Sequence, residues 1–110
     1  MQLGNVTSNE NPIKHDGSKP RMSLVPQTAL VEVAKVMTFG AEKYSEENYL
    51  KGEMLDPKRV IDAGLRHINS YLLGESSDIE SSLHPLGHAA ASIMMALEII
   101  KRKANAHAGE

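Results

Sequence analysis

The chain has 110 residues, a formal net charge of −2 and no cysteine, with 41% hydrophobic and 24% charged residues. These values fit a single soluble globular domain and argue against a disordered chain, a disulfide framework, a thiolate metal centre or a membrane span. The slight acidity argues against a binder of nucleic-acid polymers, which needs a basic surface to displace counterions from phosphates. The start lacks a basic segment followed by an apolar run, so the expected location is the cytoplasm.

Residues 1–13 are polar and aperiodic and read as a flexible tail. Lys14-His15-Asp16 and then Lys19-Pro20-Arg21 form a basic cluster on a proline-stiffened segment. Such a cluster is either a solvated loop or a grip for phosphate oxygens. Pro26 suits a first helical turn, and Leu30, Val33, Ala34, Met37, Ala41 and Tyr44 recur at three- and four-residue steps. That spacing predicts a helix over 26–44 with this set as its buried face. Gly40 inside it costs about 1 kcal/mol against alanine, which points to a close backbone contact or a ligand there.

A polar connection containing Glu46, Glu47 and Asn48 leads to Asp56-Pro57, a capping carboxylate followed by proline at the first helical position. Val60, Ile61, Gly64, Leu65, Ile68, Tyr71 and Leu72 keep the helical period until Gly74, predicting a second helix over 57–73. A third helix, capped by Ser81 or Ser82 with Pro85 in its first turn, is predicted to reach about Lys103, leaving 104–110 as a frayed tail. Between Ala89 and Ile100 only Ser92 and Glu98 are polar. A helix without a polar stripe needs cover on nearly all sides, and two partner helices in a domain over 14–103 do not supply it. The expected fold is therefore all-α, a small bundle of three main helices completed by self-association into a homo-oligomer, a dimer or tetramer. No strand pattern and no internal repeat is present.

The chemistry concentrates between Asp78 and His88. His84 and His88 stand four apart, a spacing that suits two ligands of one metal or, alternatively, two side chains that bond backbone groups at a helix start. Glu75, Asp78 and Glu80 are hard oxygen ligands of the kind Mg²⁺ or Mn²⁺ prefers, and they also read as a solvated acidic turn. Glu75 and Asp78 have the Glu-x-x-Asp spacing found in helical nucleotide pyrophosphatases. His67, these acids and His84 converge if the second and third helices form an antiparallel hairpin. Lys43, Tyr44 and Asn48 suit the phosphate, base and sugar of a nucleotide; the other reading is a plain helix end, with Tyr44 as a core anchor and Lys43 answering the helix dipole. Glycine-rich phosphate loops, serine triads and dinucleotide fingerprints are absent.

In order, Lys14-His15-Asp16 with Lys19-Pro20-Arg21-Met22, Phe39-Gly40-Ala41-Glu42-Lys43-Tyr44 with Asn48, Arg66-His67, and Asp78-x-Glu80-x-x-Leu83-His84-x-x-x-His88 resemble the phage dATP/dGTP diphosphohydrolase domain. That family is related to the MazG-like all-helical nucleotide pyrophosphohydrolases. Three positions depart from the pattern: Ser82 stands where the family has glycine, Tyr49 where it has tryptophan, and Leu50 where the wider group has the third acid of Glu-Glu-x-x-Glu.

The resemblance implies an enzyme that cleaves a deoxypurine triphosphate to monophosphate and pyrophosphate with Mg²⁺ or Mn²⁺, in the host cytoplasm if phage-encoded. On that basis Asp78 and Glu80, with Glu42 and Glu75, would hold the metal. Glu80, His84 and His67 would handle protons at the reacting centre. Lys19, Arg21, Lys43 and Arg66 would grip the triphosphate, and Asn48 and Tyr44 would read base or sugar. The alternative is a non-catalytic protein that sequesters a nucleotide or nucleotide-derived signal in the same pocket.

Overall fold

A computed structural model describes residues 12–13 and 17–108. Most of the expected N-terminal tail, the Lys14-His15-Asp16 cluster and residues 109–110 therefore lie outside the described residues. Three helices make the fold: α1 (Gln27–Lys43), α2 (Pro57–Leu72) and α3 (Pro85–Ala108), with short 3-10 turns at Met22–Leu24 and Asn48–Leu50. Among the described residues there is no strand, and no helix is long and apolar enough to cross a membrane.

The helix ends follow local chemistry. The Asp56 carboxylate accepts the Lys58 N–H at 3.0 Å, with Pro57 in the first position of α2. At the other end Glu75 N–H reaches the Ser70 carbonyl at 3.1 Å and Gly74 N–H reaches that of Tyr71 at 2.9 Å. This pair of bonds is a Schellman stop, and it places Gly74 at φ +100, where a side chain would be strained.

The start of α3 corrects the serine-cap expectation. Pro85 has no N–H, so the first donor to cap belongs to Leu86, and His84 Nδ1 accepts it at 3.0 Å. The far end also differs, because α3 continues past Lys103 to Ala108. Alanines at 104, 106 and 108 are strong helix formers, and Glu98 and Arg102 pair one turn apart at 2.7 Å.

α3 packs along α2 more extensively than along α1. Toward α1 the core is Val33, Val36 and Ala91, with Met37 and Leu83 against them. Toward α2 it is Val60, Ala96 and Ile99, covered by Tyr49, Leu50, Met54 and Leu55 of the connection. Two glycines permit this closeness. A Cβ on Gly64 of α2 would lie 3.1 Å from the Ser92 Cβ, and one on Gly87 of α3 would lie 3.5 Å from the Glu32 carbonyl oxygen of α1. Gly40, where a close contact was expected, has open space around such a Cβ beyond the backbone of its own helix.

The buried face of α1 is also rotated from the expected one. Val33 and Val36 are buried, whereas Leu30, Ala34 and Tyr44 are exposed. On α2, Val60 and Gly64 face the core while Leu65 and Leu72 stay 55% and 73% exposed. Only part of α3 is covered: Leu86, Ile93, Met94, Leu97 and Ile100 remain exposed in the single chain.

Candidate functional site

The most densely bonded polar region is the turn from Asp78 to Leu83, which joins α2 to α3. Asp78 Oδ2 accepts from the Glu80 N–H at 3.1 Å, the Ser81 N–H at 2.9 Å and the Ser81 hydroxyl at 3.1 Å. The Asp78 main chain closes the same turn: its N–H donates to the Leu83 carbonyl and its carbonyl accepts from Ser82 N–H, both at 2.8 Å. Ser82 sits at φ +64, a left-handed conformation that a glycine adopts freely and a serine does not. A glycine here, as in the pattern the sequence resembles, would have a backbone reason, and this chain holds the conformation through the bonds on either side.

Ser81 Oγ is also 2.6 Å from His88 Nε2 and accepts the Leu83 N–H at 3.1 Å. The His88 ring stacks on His67 of α2, 4.5 Å between centroids at 17°, and meets the edge of Phe39 of α1 at 6.4 Å and 84°. One imidazole on α3 thus touches both other helices and the turn. Burial works to raise the Asp78 pKa, but the Ser81 backbone and hydroxyl bonds and the neighbouring imidazoles outweigh it, holding the carboxyl below its ordinary value. His88 is held below the usual imidazole range, first by burial and then by His67, against the opposing pull of Asp78 and Glu80.

Beside this turn lies a shallow groove of about 380 Å³. Ala34, Thr38, Phe39 and Glu42 of α1 form one wall, and Ser81 and Leu83 the other. At the end of α1 the Lys43 ammonium meets Glu80 Oε2 at 2.6 Å and lies 5.1 Å from the Tyr44 ring centroid. The Glu80 bond is the main cause of a raised Lys43 pKa.

Glu42, Lys43, Glu80, Asp78 and His67 are therefore brought around one groove and its adjoining turn. The remaining expected residues stand elsewhere in the single chain. Arg66 faces a second groove with Asp62, Leu65, Asn69 and Ser70. Lys19, Arg21, Asn48 and Glu75 are exposed. His84, capping α3, packs its ring 5.5 Å from that of Tyr71 rather than pairing with His88. Among the described residues, no group of three or more His, Asp or Glu side chains is arranged to hold a metal ion. Tyr44, 64% exposed, is not a core anchor.

Two contributors were not picked out from the sequence as site residues, Ser81, read only as a helix cap, and Phe39; His88, read as a metal ligand or a side chain bonding the helix start, instead bonds Ser81 and stacks on His67. Ser81 had a local signal, since a serine three residues after an Asp is placed to return bonds to that carboxylate in a tight turn. The departures at 49 and 50 also have a physical reason. Tyr49 and Leu50 pack on Val60, Ala96 and Ile99, so the position expected to hold a third acid belongs to the core here.

The chain matches the family described as dATP/dGTP diphosphohydrolase, N-terminal, over residues 9–108. It belongs to that family. A dATP/dGTP diphosphohydrolase of Salmonella phage PMBT28 is 31% identical over 91 residues, which is 83% of this chain and 30% of that protein. The family member described here thus spans under a third of that relative's length. No solved structure matches the chain.

Proposed function

We propose that this chain hydrolyses a deoxypurine nucleoside triphosphate, dATP or dGTP, to the monophosphate and pyrophosphate with Mg²⁺ or Mn²⁺. Family membership supports the reaction class. The observation that carries the site is the ion pair of Lys43, at the end of α1, with Glu80 of the turn, beside the groove that Glu42 lines.

In this reading one P–O bond of the α,β bridge breaks and water supplies the new oxygen, so phosphate charge must be neutralised and a proton removed. Lys43 exchanges Glu80 for a phosphate oxygen, which frees the Glu80 carboxylate toward the reacting water. His84 accepts the Leu86 N–H at Nδ1, so the neutral ring carries its hydrogen on Nε2 and offers it as a hydrogen bond to a phosphate oxygen. His67 lines the same turn through its stack on His88.

The metal is part of the proposal, and among the described residues no three-ligand set for it is preformed. Mg²⁺ is commonly held by one or two carboxylates together with substrate phosphates, and Glu42 and Glu80 at the groove suit that mode. Asp78 offers one oxygen, because Oδ2 is committed to the turn; Glu75 lies further along the same connection. When bound, such an ion withdraws charge from the phosphates and lowers the pKa of its water.

Lys19, Arg21, Arg66 and Asn48 complete the phosphate grip and nucleoside contacts only if a second copy of the chain brings them to the groove. A homo-oligomer is accordingly part of the proposal, formed through the exposed apolar side of α3. The test is incubation of purified protein with each deoxynucleoside triphosphate and Mg²⁺ or Mn²⁺. Monophosphate and pyrophosphate are expected. Stoichiometric binding that survives chelation, with the nucleotide recovered intact, would instead support sequestration.

A further inference from the structure

We infer that Ser81, held by His88, is a positioning residue for the proposed hydrolysis: its hydroxyl fixes the Asp78–Leu83 turn so that Glu80 faces Lys43 at the mouth of the groove. The inference rests on the hydrolase reading for its kinetic consequence and on the hydrogen-bond geometry for its substance.

The bond count around Ser81 Oγ assigns the protons. A hydroxyl has one proton to donate and two lone pairs to accept with. Leu83 N–H takes one lone pair at 3.1 Å. Asp78 Oδ2, at 3.1 Å, belongs to an ionised carboxylate that can only accept, so the hydroxyl donates its hydrogen bond there. The remaining lone pair faces His88 Nε2 at 2.6 Å, so that nitrogen carries its hydrogen and donates it.

The chain of donation then runs from His88 through Ser81 to Asp78, and Asp78 Oδ2 also takes the Glu80 N–H. The Glu80 backbone is thereby tied to a ring on α3, and that ring is itself clamped by His67 of α2 and Phe39 of α1. Loss of the Ser81 hydroxyl cuts this line at its middle. Ser82, left-handed at φ +64, is then free to relax and to turn Glu80 away from Lys43.

The experiment combines kinetics and imidazole NMR on the full chain. Ser81→Ala and His88→Phe each remove one side of the same bond, and Phe keeps a flat ring against His67. Each is expected to lower kcat about tenfold, with KM for the nucleotide changed less than about threefold, as for an interaction that places a reacting group without binding substrate.

The double variant is expected to lose no more than either single one, since both break one line of bonds. Ser81→Thr, which keeps the hydroxyl, and His88→Gln, whose amide can donate from the Nε2 position, are expected to recover most of the loss. Full activity in a folded Ser81→Ala protein, or multiplicative losses in the double variant, would overturn the inference. If Ser81→Ala does not fold, the His88→Phe and His88→Gln pair decides it.

The imidazole nitrogen shifts of the wild-type protein, recorded without nucleotide, read the geometry on their own. His88 protonated on Nε2 alone is expected, and an Nδ1–H tautomer would overturn the inference whatever the activity. A wild-type protein with the expected tautomer and no turnover would instead overturn the hydrolase reading alone.

Discussion

Between Asp78 and Leu83 the polar groups find partners inside the chain, and the turn is further pinned to all three helices through His88. Along the outer side of α3 the reverse holds: Ile93, Met94, Leu97 and Ile100 stay between 46% and 55% exposed. Leu86, Ala90, Ile93, Leu97 and Ile100 recur at alternating four- and three-residue steps, the spacing of a helix–helix seam. A chain of this size can satisfy a short polar turn locally, because each bond needs only a neighbour a few residues away. Burying a long apolar helix needs area, and two partner helices provide too little of it.

The largest effect should come from breaking the open face. Replacing both Ile93 and Leu97 by Asp puts two charges where the proposed second copy packs. Each buried aliphatic side chain is worth roughly 1.5–3 kcal/mol, so the pair should weaken association more than about a hundredfold. Light scattering should show the mass falling toward that of one chain; an unchanged mass would remove the seam from the account.

Glycine positions sharpen the contrast at the covered side of α3. Gly64→Val should lower stability by about 1–3 kcal/mol, because even its Cβ lies 3.1 Å from that of Ser92. Gly40→Ala, in open space, should raise it by about 0.5–1 kcal/mol from helix propensity alone. Thermal melts of the two variants should shift in opposite directions.

Acidification tests the closed turn. His88 has a folded pKa below the ordinary imidazole value of 6.5, so the unfolded chain takes up that proton more readily, and stability falls as pH drops through 6.5. The groups facing it are His67, Asp78 and Glu80. Asp78, depressed below 3.8, adds a second loss as pH falls below that value. Denaturant midpoints measured from pH 7.5 to 5.5 should decrease, and His88→Phe should flatten the first part of that decline.

The smallest change is Ser82→Gly. Removing the side chain from φ +64 should stabilise the turn by up to about 1 kcal/mol, partly offset by the greater freedom of glycine in the unfolded chain. A lower melting temperature would mean that the Ser82 side chain has a role of its own.

Much of the fold was legible because its signals are local. Asp56-Pro57 starts α2 and Gly74 ends it through bonds between residues close in the chain. Apolar period gave the three helices but misassigned the inner side of α1, since Ala34 and Tyr44 keep the period without being covered. The site was legible in composition more than in pairing. The four-residue spacing of His84 and His88 suggested one shared partner, yet Pro85 turns His84 into a helix cap and leaves His88 one turn deeper, against His67. Which glycine meets a neighbouring backbone depends on how the helices cross, and that is a tertiary fact. The same holds for Arg66, whose neighbour His67 turns inward while Arg66 itself lines the outer groove.

Hydrolysis is proposed for the groove that Glu42 lines, beside the Lys43–Glu80 pair. Its most direct measurement is product analysis of dATP and dGTP incubated with Mg²⁺ or Mn²⁺ and either wild-type protein or Glu80→Gln. Monophosphate and pyrophosphate are expected in equal amounts from the wild type, with the rate reduced at least about a hundredfold in the variant. Intact nucleotide after prolonged incubation with wild-type protein, or equal rates for the two proteins, would contradict it.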